Sequence, residues 1–228
     1  MISAVAFVPQ TPLLVPQVTG GSTPELDELR AACRAAIIQV AGAGRQLVVI
    51  GSGPDDRRYE GTARGSLAGY GVALEVPLGR DGPGRVELPA SLTVGAWLVR
   101  AALGPDTGAV GYSVADGLPD LWDDVDRALV VVGDGSARRT EKAPGYLDER
   151  AAEFDAQIAD ALRRGQGNML HPPGYPQEGL HAALLVAGAP VWDAVAWLIE
   201  SATWDAELLY DAAPFGVGYF VAVWTARD

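Results

Sequence analysis

The chain has 228 residues, of which 49% are hydrophobic and 20% charged, enough to bury the core of one α/β domain spanning residues 1–228. Its formal net charge of -12 disfavours nucleic acids and anionic membrane surfaces as partners, because both attract basic proteins. The sequence has no basic leader, no apolar stretch near the ~18 residues of a membrane span, and a single cysteine, so we expect a cytoplasmic protein without disulfides.

The first fifty residues predict a strand, a helix and a second strand. Apolar runs at 2–8 and 46–50 are typical of buried strands. Between them, Thr23 and Pro24 begin an amphipathic helix that extends to Val40 and includes the cysteine as a packing residue. This order is typical of a βαβ unit with parallel strands.

The next segment is more polar. Charged residues and glycines at 55–69 predict a surface loop, and a glycine turn at 51–53 precedes it. Apolar runs and helical spacing then predict further elements, namely strands at 72–76, 86–88 and 109–114 and a helix at 90–103.

The stretch ALVVVGDGSARR, residues 128–139, joins a strand to a polar turn. Five apolar residues, 128–132, predict a strand buried on both faces. Gly133, Asp134, Gly135 and Ser136 then form a tight turn at its carboxyl end. Because ligands of open α/β sheets bind at this edge, we expect the turns there to form a crevice.

The last third of the chain predicts helices followed by strands. The segment 148–165 has acidic residues at its start and arginines at its end, as in a helix that complements its dipole. Further helices are predicted at 179–187 and 191–202, a proline-rich loop at 168–177, and strands at 206–210 and 217–225. These elements together predict a three-layer α/β/α single domain with a mixed, mainly parallel central sheet.

Three segments of the chain carry a family pattern. They are VAFVPQTPLLVPQV near the start, VVVGDGSARRTEKAPGYLDERAAEFD in the middle and LLYDAAPFGVGYFVAVW at the end. In order and spacing they resemble the catalytic subunits of class III extradiol ring-cleavage dioxygenases, whose fold the Memo proteins share. The resemblance implies a ferrous iron held by two histidines and a carboxylate, with another histidine as acid/base.

The positions that the resemblance assigns to these histidines hold other residues here. Gln10 stands where one metal histidine is expected, and the turn expected to hold the second reads Gly51, Ser52 and Gly53. Ala137 replaces the acid/base histidine. The carboxylate ligand has no settled position, although Glu207 is one candidate. Amide and hydroxyl groups are poor iron(II) ligands, so we expect no metal, no cofactor and no ring cleavage by the family mechanism.

Other side chains offer weaker metal sites. His171 lies in the proline-rich loop and His181 in a helical stretch, and neither matches a motif histidine. Asp55, Asp56 and Asp134 could hold a hard cation such as Mg²⁺. Solvation explains the first two carboxylates more simply, and turn formation explains the third.

Three further patterns carry little functional weight. The turn 51–53 lacks the third glycine of a dinucleotide-binding fingerprint, and its serine has no motif histidine as a base. Trp192, Trp197 and Trp204 have spacings typical of core or interface packing.

Two classes of function remain open. The first is a metal-free relative that binds an unknown small molecule or a protein in the crevice. The crevice residues are Gln10, Ser52, Gly53, Asp134, Ser136 and Ala137. The second is an enzyme, either an oxidoreductase of the aromatic ring-opening type with substituted metal ligands or a metal-independent enzyme for a small aromatic substrate.

The resemblance and the apolar last strand favour a homo-oligomer.

Overall fold

A computed structural model describes residues 1–42, 44–117, 121, 123–170 and 177–227. The strands are β1 (Ile2–Val8), β2 (Gln46–Ser52), β3 (Arg57–Tyr59), β4 (Arg64–Ser66), β5 (Glu75–Pro77), β6 (Ala109–Val114), β7 (Arg127–Val132), β8 (Trp204–Ala212) and β9 (Tyr219–Ala226). The α-helices are α1 (Pro16–Thr19), α2 (Pro24–Val40), α3 (Ala90–Leu103), α4 (Arg150–Arg164), α5 (Gln177–Leu184) and α6 (Ala189–Ile199). Short 3₁₀ helices lie at Pro12–Leu14, Ala68–Tyr70 and Gly167–Met169.

Seven strands form the central sheet in the order β3-β6-β2-β7-β1-β9-β8. The four inner strands β6, β2, β7 and β1 are parallel to one another. At the edges, β3 pairs antiparallel with β6, and β9 pairs antiparallel with both β1 and β8. The predicted mixed, mainly parallel sheet is therefore confirmed, and β4 and β5 form a separate two-stranded sheet.

Helices cover both faces of the sheet, because its inner strands are apolar on both sides. Ala4, Ala6 and Val8 of β1 belong to a core shared with α2 and α3. Val5 and Phe7 belong to the opposite core, shared with α4, α5 and α6. This arrangement confirms the three layers.

The predicted central strand and the first long helix are confirmed. All six residues of β7 are buried, and β7 lies between β1 and β2, the two strands of the opening βαβ unit. In α2, the Thr23 side chain accepts a hydrogen bond from the Leu26 N–H, and Pro24 occupies the first turn.

The segment 55–69, predicted as a surface loop, contains β3 and β4. Despite its charged residues, this segment contains three buried hydrophobic residues that belong to the core on the α2 and α3 side, namely Tyr59, Ala63 and Leu67. The Arg57 guanidinium lies 4.7 Å from the centre of the Tyr59 ring, so a charged run covers an aromatic core residue.

Other boundaries also differ from the sequence predictions. Gly51 and Ser52 form the end of β2 instead of a turn. The strand predicted at 72–76 is confined to β5, and the one predicted at 86–88 is a single bridge between Val86 and Arg64. None of the described helices is long and apolar enough to cross a membrane.

Candidate functional site

The carboxyl ends of β1, β2 and β7 bring together Gln10, Ser52 and Asp134. The Ser52 hydroxyl donates a hydrogen bond to Gln10 Oε1 at 3.1 Å, and the Gln10 backbone N–H donates to Asp134 Oδ1 at 2.8 Å. Gln10 and Ser52 are half-buried, whereas Asp134 is 8% exposed. Three of the six predicted crevice residues thus form one hydrogen-bonded group, which we call the polar cluster.

Asp134 carries the strongest electrostatic perturbation in the polar cluster. Burial raises the pKa of its carboxyl group from the ordinary 3.8 to about 7, against the opposing effect of backbone hydrogen bonds from Gln10 and Thr11. A carboxyl group with a pKa near neutrality can take up or release a proton under physiological conditions, as general acids and bases do.

Two weakly acidic groups lie beside Asp134. Tyr219, at the start of β9, has its pKa raised to about 12, first by burial and then by the Asp134 charge, while a hydrogen bond with the Thr11 side chain acts in the opposite direction. The Cys33 thiol of α2 is fully buried, and its pKa is raised by burial and by the same carboxylate. Both groups are therefore neutral at physiological pH, and Cys33 packs in the core as predicted.

The glycines beside Ser52 lie against neighbouring side chains. A Cβ atom at Gly53 would lie 2.5 Å from the Ser113 Cβ, and one at Gly51 would lie 2.6 Å from the Ser91 hydroxyl. Both separations are shorter than van der Waals contact allows. A larger residue at either position would require the neighbouring elements to shift.

Ser136 turns away from the polar cluster. It is fully buried, and its N–H and hydroxyl group donate hydrogen bonds to the Asp155 carboxylate of α4 at 2.9 and 2.7 Å. Arg139 Nη1 donates to the same carboxylate at 2.9 Å. Burial raises the Asp155 pKa, and these hydrogen bonds oppose that effect. The structure therefore gives Ser136 a buried partner instead of a place on an open wall.

Ala137 lies on the α5 side of the same turn. Its N–H donates to the Leu184 carbonyl at 3.0 Å, and its carbonyl accepts from the Gly145 N–H at 3.0 Å. The side chain is a half-buried methyl group. The backbone of Ala137 thus fixes the end of α5 beside the strand-end turn.

An open groove of ≈ 1030 Å³ begins next to the polar cluster. Ala115 and Gly117, which follow β6, form part of one wall, and residues of α5, α6 and their connection form the others. The Gly188 N–H in that connection donates to the Asp134 carbonyl at 2.8 Å, so the groove borders the turn after β7. None of the six predicted crevice residues lines the groove.

The other predicted ligands are dispersed. Asp56 accepts hydrogen bonds from the Ala115 and Gly117 N–H groups, which lower its pKa. His181 contacts the Phe154 ring edge-on, and Glu207 is exposed on β8 at the far edge of the sheet. His171 lies outside the described residues. Within the described ranges, no three His, Cys, Asp or Glu side chains are grouped as a metal site.

The site residues predicted from the sequence do not include Thr11, Tyr219, Arg139 or Asp155. Asp155 had a detectable signal, because it is an acidic residue between Phe154 and Ile158 on the buried face of α4. Thr11 and Tyr219 had no such local signal, because their position beside Asp134 depends on the pairing of β1 with β9.

Comparison with known proteins identifies a fold but no family. No protein-family model matches the chain, and no curated protein matches it. The chain is similar to the crystal structure of an uncharacterized protein, JW3007, from Escherichia coli K12, with a TM-score of 0.50 and 10% sequence identity. The match covers 98% of this chain and 99% of that one. At this identity the likeness shows a shared α/β fold over nearly the full length of both chains.

Proposed function

We propose that this protein is a metal-independent relative of the class III extradiol dioxygenases that binds a small organic molecule at the polar cluster. The observation that carries the proposal is the hydrogen bond between Ser52 and Gln10. Gln10 stands where the resemblance places one metal histidine, and Ser52 belongs to the segment 51–53 in which it places the second. Their polar groups are directed toward each other, and neither an amide nor a hydroxyl group holds iron(II) firmly.

The packing of the adjacent glycines supports the same proposal. A histidine at Gly51 or Gly53 would overlap Ser91 or Ser113, respectively. The packing around Gly51 and Gly53 therefore accommodates only small residues. Restoring a metal-binding histidine in this segment would require the neighbouring residues to change as well. The cluster offers amide, hydroxyl and carboxyl groups, which suit a ligand with hydroxyl or carbonyl substituents.

Metal content is the first test of the proposal. Tag-free protein is incubated anaerobically with Fe²⁺, Zn²⁺ or Mg²⁺, passed through a desalting column and analysed by elemental mass spectrometry. We expect far less than one metal ion per chain in each case. Retention of one iron or zinc ion per chain would contradict metal independence and favour the oxidoreductase with substituted ligands.

Ligand binding is the second test, with catechol and protocatechuate as probes in thermal-shift and calorimetric assays. Gln10→Ala removes the side-chain amide and keeps the backbone N–H that Asp134 uses. Gln17→Ala, at an exposed residue of α1, is the matched control. We expect a probe to stabilise the wild type and Gln17→Ala but not Gln10→Ala. Equal stabilisation of the wild type and both variants by the probe would show that it binds away from the polar cluster.

A second function, metal-independent acid/base catalysis on a small aromatic substrate, is favoured by the raised pKa of Asp134. It predicts that the protein catalyses deuterium exchange at the methylene group next to the carbonyl group of a phenyl-substituted α-keto acid such as phenylpyruvate. Exchange is followed by proton NMR in the wild type and in Asp134→Asn. Exchange at the buffer rate in the wild type would exclude this activity for the probe used.

A further inference from the structure

The loop after β7 holds an arginine with an unsatisfied buried donor. Arg138 is half-buried, and its Nε is the one buried side-chain nitrogen or oxygen atom without a hydrogen-bond partner in the part of the chain that the structure describes. A buried N–H group without an acceptor is costly, and native proteins contain few of them. This donor therefore indicates an acceptor that the described residues do not supply.

The carboxylate that the Arg138 charge influences already has a partner. Asp148 accepts hydrogen bonds from Arg150 Nε at 2.9 Å and from Arg150 Nη2 at 2.7 Å. These bonds, more than the charge of Arg138, lower the pKa of Asp148 to about 2. Asp148 is therefore ionised and held by Arg150 at neutral pH, which leaves the Arg138 guanidinium group available to another anion.

Gly145 holds the Arg138 side chain in place. A Cβ atom at Gly145 would lie 2.7 Å from Arg138 Cγ, 2.9 Å from Arg138 Nε and 2.6 Å from Leu185 Cδ1. The Arg138 carbonyl also accepts a hydrogen bond from the Asp148 N–H at 3.0 Å. The arginine stem and the Leu185 side chain thus both lie against the Gly145 backbone. Because the guanidinium group is positioned in advance, a ligand loses less free energy in ordering it.

Two exposed apolar side chains beside this arginine have a strained backbone. Tyr146, which follows Gly145, has a φ of 61°, and Leu185 has a φ of 55°. Their side chains are 63% and 45% exposed, so core packing does not account for them. Glycine at either position would remove the strain. Residues in strained conformations cluster at ligand sites, so these two side chains indicate a contact outside the core.

We propose that Arg138 binds the carboxylate group of a small organic acid whose apolar body lies against Leu185. The two carboxylate oxygens accept hydrogen bonds from Arg138 Nε and its adjacent Nη group, the paired geometry that a guanidinium group offers to a carboxylate. The exposed Leu185 side chain changes rotamer to admit the ligand beside Nε. Leu185 also lines the groove beside α5 and α6, so the site borders that groove.

This proposal does not rest on the function proposed above, since it uses no residue of the polar cluster. The test uses benzoate, its neutral isostere benzamide and inorganic phosphate. The full chain is labelled with ¹⁵N-arginine, and the Arg138 Nε–H resonance is assigned by its loss in Arg138→Lys. Titration followed by ¹H–¹⁵N NMR then reports binding at this nitrogen alone among the arginines.

We expect benzoate to shift the Arg138 Nε–H resonance saturably, and benzamide and phosphate to bind more weakly. In calorimetry, Arg138→Lys should weaken benzoate binding by about tenfold, the equivalent of ~1.4 kcal/mol, because lysine keeps the charge but not the paired donors. Leu185→Asn should weaken it by about threefold, since asparagine tolerates the left-handed backbone but removes the apolar contact. Arg34→Lys, at an exposed arginine of α2, is the matched control and should leave the affinity unchanged.

Three results would overturn the proposal. The first is an Arg138 Nε–H resonance that benzoate does not move, which would leave water as the acceptor. The second is benzamide or phosphate binding as tightly as benzoate, which would exclude recognition of an organic carboxylate. The third is benzoate binding that Gln10→Ala abolishes and Arg138→Lys does not change. That result would place benzoate at the polar cluster and support the function proposed above alone.

Discussion

Asp134 shows how one carboxyl group can link the fold to the candidate site. Its side chain accepts a hydrogen bond from the Gln10 N–H, and its backbone carbonyl accepts one from the Gly188 N–H. One residue therefore connects the loop after β1 to the start of α6. Burial opposes the charged form of the carboxyl group, whereas the backbone hydrogen bonds favour it. Burial prevails, and the residue therefore couples folding to proton uptake.

The stability of the protein should depend on the protonation of Asp134. Because its pKa rises from 3.8 to about 7, the folded state holds a proton that the unfolded state has released between those values. The contribution of Asp134 to the free energy of unfolding should therefore fall as pH rises through this window, by about 4 kcal/mol.

Asp134→Asn, which keeps an acceptor for the Gln10 N–H, should lack this contribution. Urea unfolding of both proteins at several values between pH 4.5 and pH 8 measures the difference. The variant should become more stable relative to the wild type as pH rises. Parallel curves would show that Asp134 titrates normally.

Asp155 is the anchor of the turn that follows β7. Its carboxylate accepts hydrogen bonds from the Ser136 N–H, the Ser136 hydroxyl and Arg139. Asp155→Ala leaves the buried donors of Ser136 without an acceptor, and we expect a loss of about 2–4 kcal/mol in the free energy of unfolding.

Asp155→Asn should cost less than Asp155→Ala, because one acceptor oxygen remains. Glu153→Ala, at an exposed site on the same helix, is the control and should change stability by no more than ~0.5 kcal/mol. Urea denaturation compares the three variants. A loss in Asp155→Ala no larger than that in Glu153→Ala would show that the network does not stabilise the turn.

Elements with strong local patterns could be predicted from the sequence, whereas those defined by distant pairing could not. The five apolar residues of β7 and the capped, amphipathic α2 were recognisable because burial and capping leave local signals. β3 is only three residues long and mostly charged. It is a strand because β6 provides a partner, which no local pattern reports.

The contact of α3 with the sheet depends on a helical glycine. A Cβ atom at Gly95 would lie 2.5 Å from Val49 Cγ1 and 2.8 Å from Val132 Cγ2, so α3 lies closely on β2 and β7. Gly95→Ala should gain ~1 kcal/mol in helix propensity and lose more through overlap, with a net loss of about 1–2 kcal/mol.

Gly179→Ala is the matched control for that substitution. Gly179 lies in α5, and a Cβ atom there would have no neighbour within 4 Å. This substitution should stabilise the protein by up to ~1 kcal/mol. Thermal unfolding of both variants measures the effects. If Gly95→Ala were more stable than the wild type, the side chains of the sheet beneath α3 would be able to move aside at little cost in free energy.

At the scale of the whole molecule, topology explains which site residues could be anticipated. Parallel strands end at the same edge of a sheet, so Gln10, Ser52 and Asp134 could be placed together from the sequence. The direction of the Ser136 side chain could not, because it depends on where α4 presents Asp155. The groove depends in the same way on how α5 and α6 pack beside the loop after β6.

The net charge of -12 is also a property of the whole molecule, and it should make stability depend on salt. At pH 7 the carboxylates repel one another most strongly in the compact state, so screening stabilises the folded form. Thermal unfolding should therefore occur at a higher temperature in ~200 mM NaCl than in ~20 mM NaCl, where the Debye length is longer. The exposed ion pairs oppose this trend weakly, because each contributes at most ~1 kcal/mol.

Near the isoelectric point of ≈ 4.5 the repulsion disappears, and the same salt increase should no longer stabilise the protein. An equal salt effect at both pH values would indicate preferential exclusion of salt from the surface instead of screened repulsion.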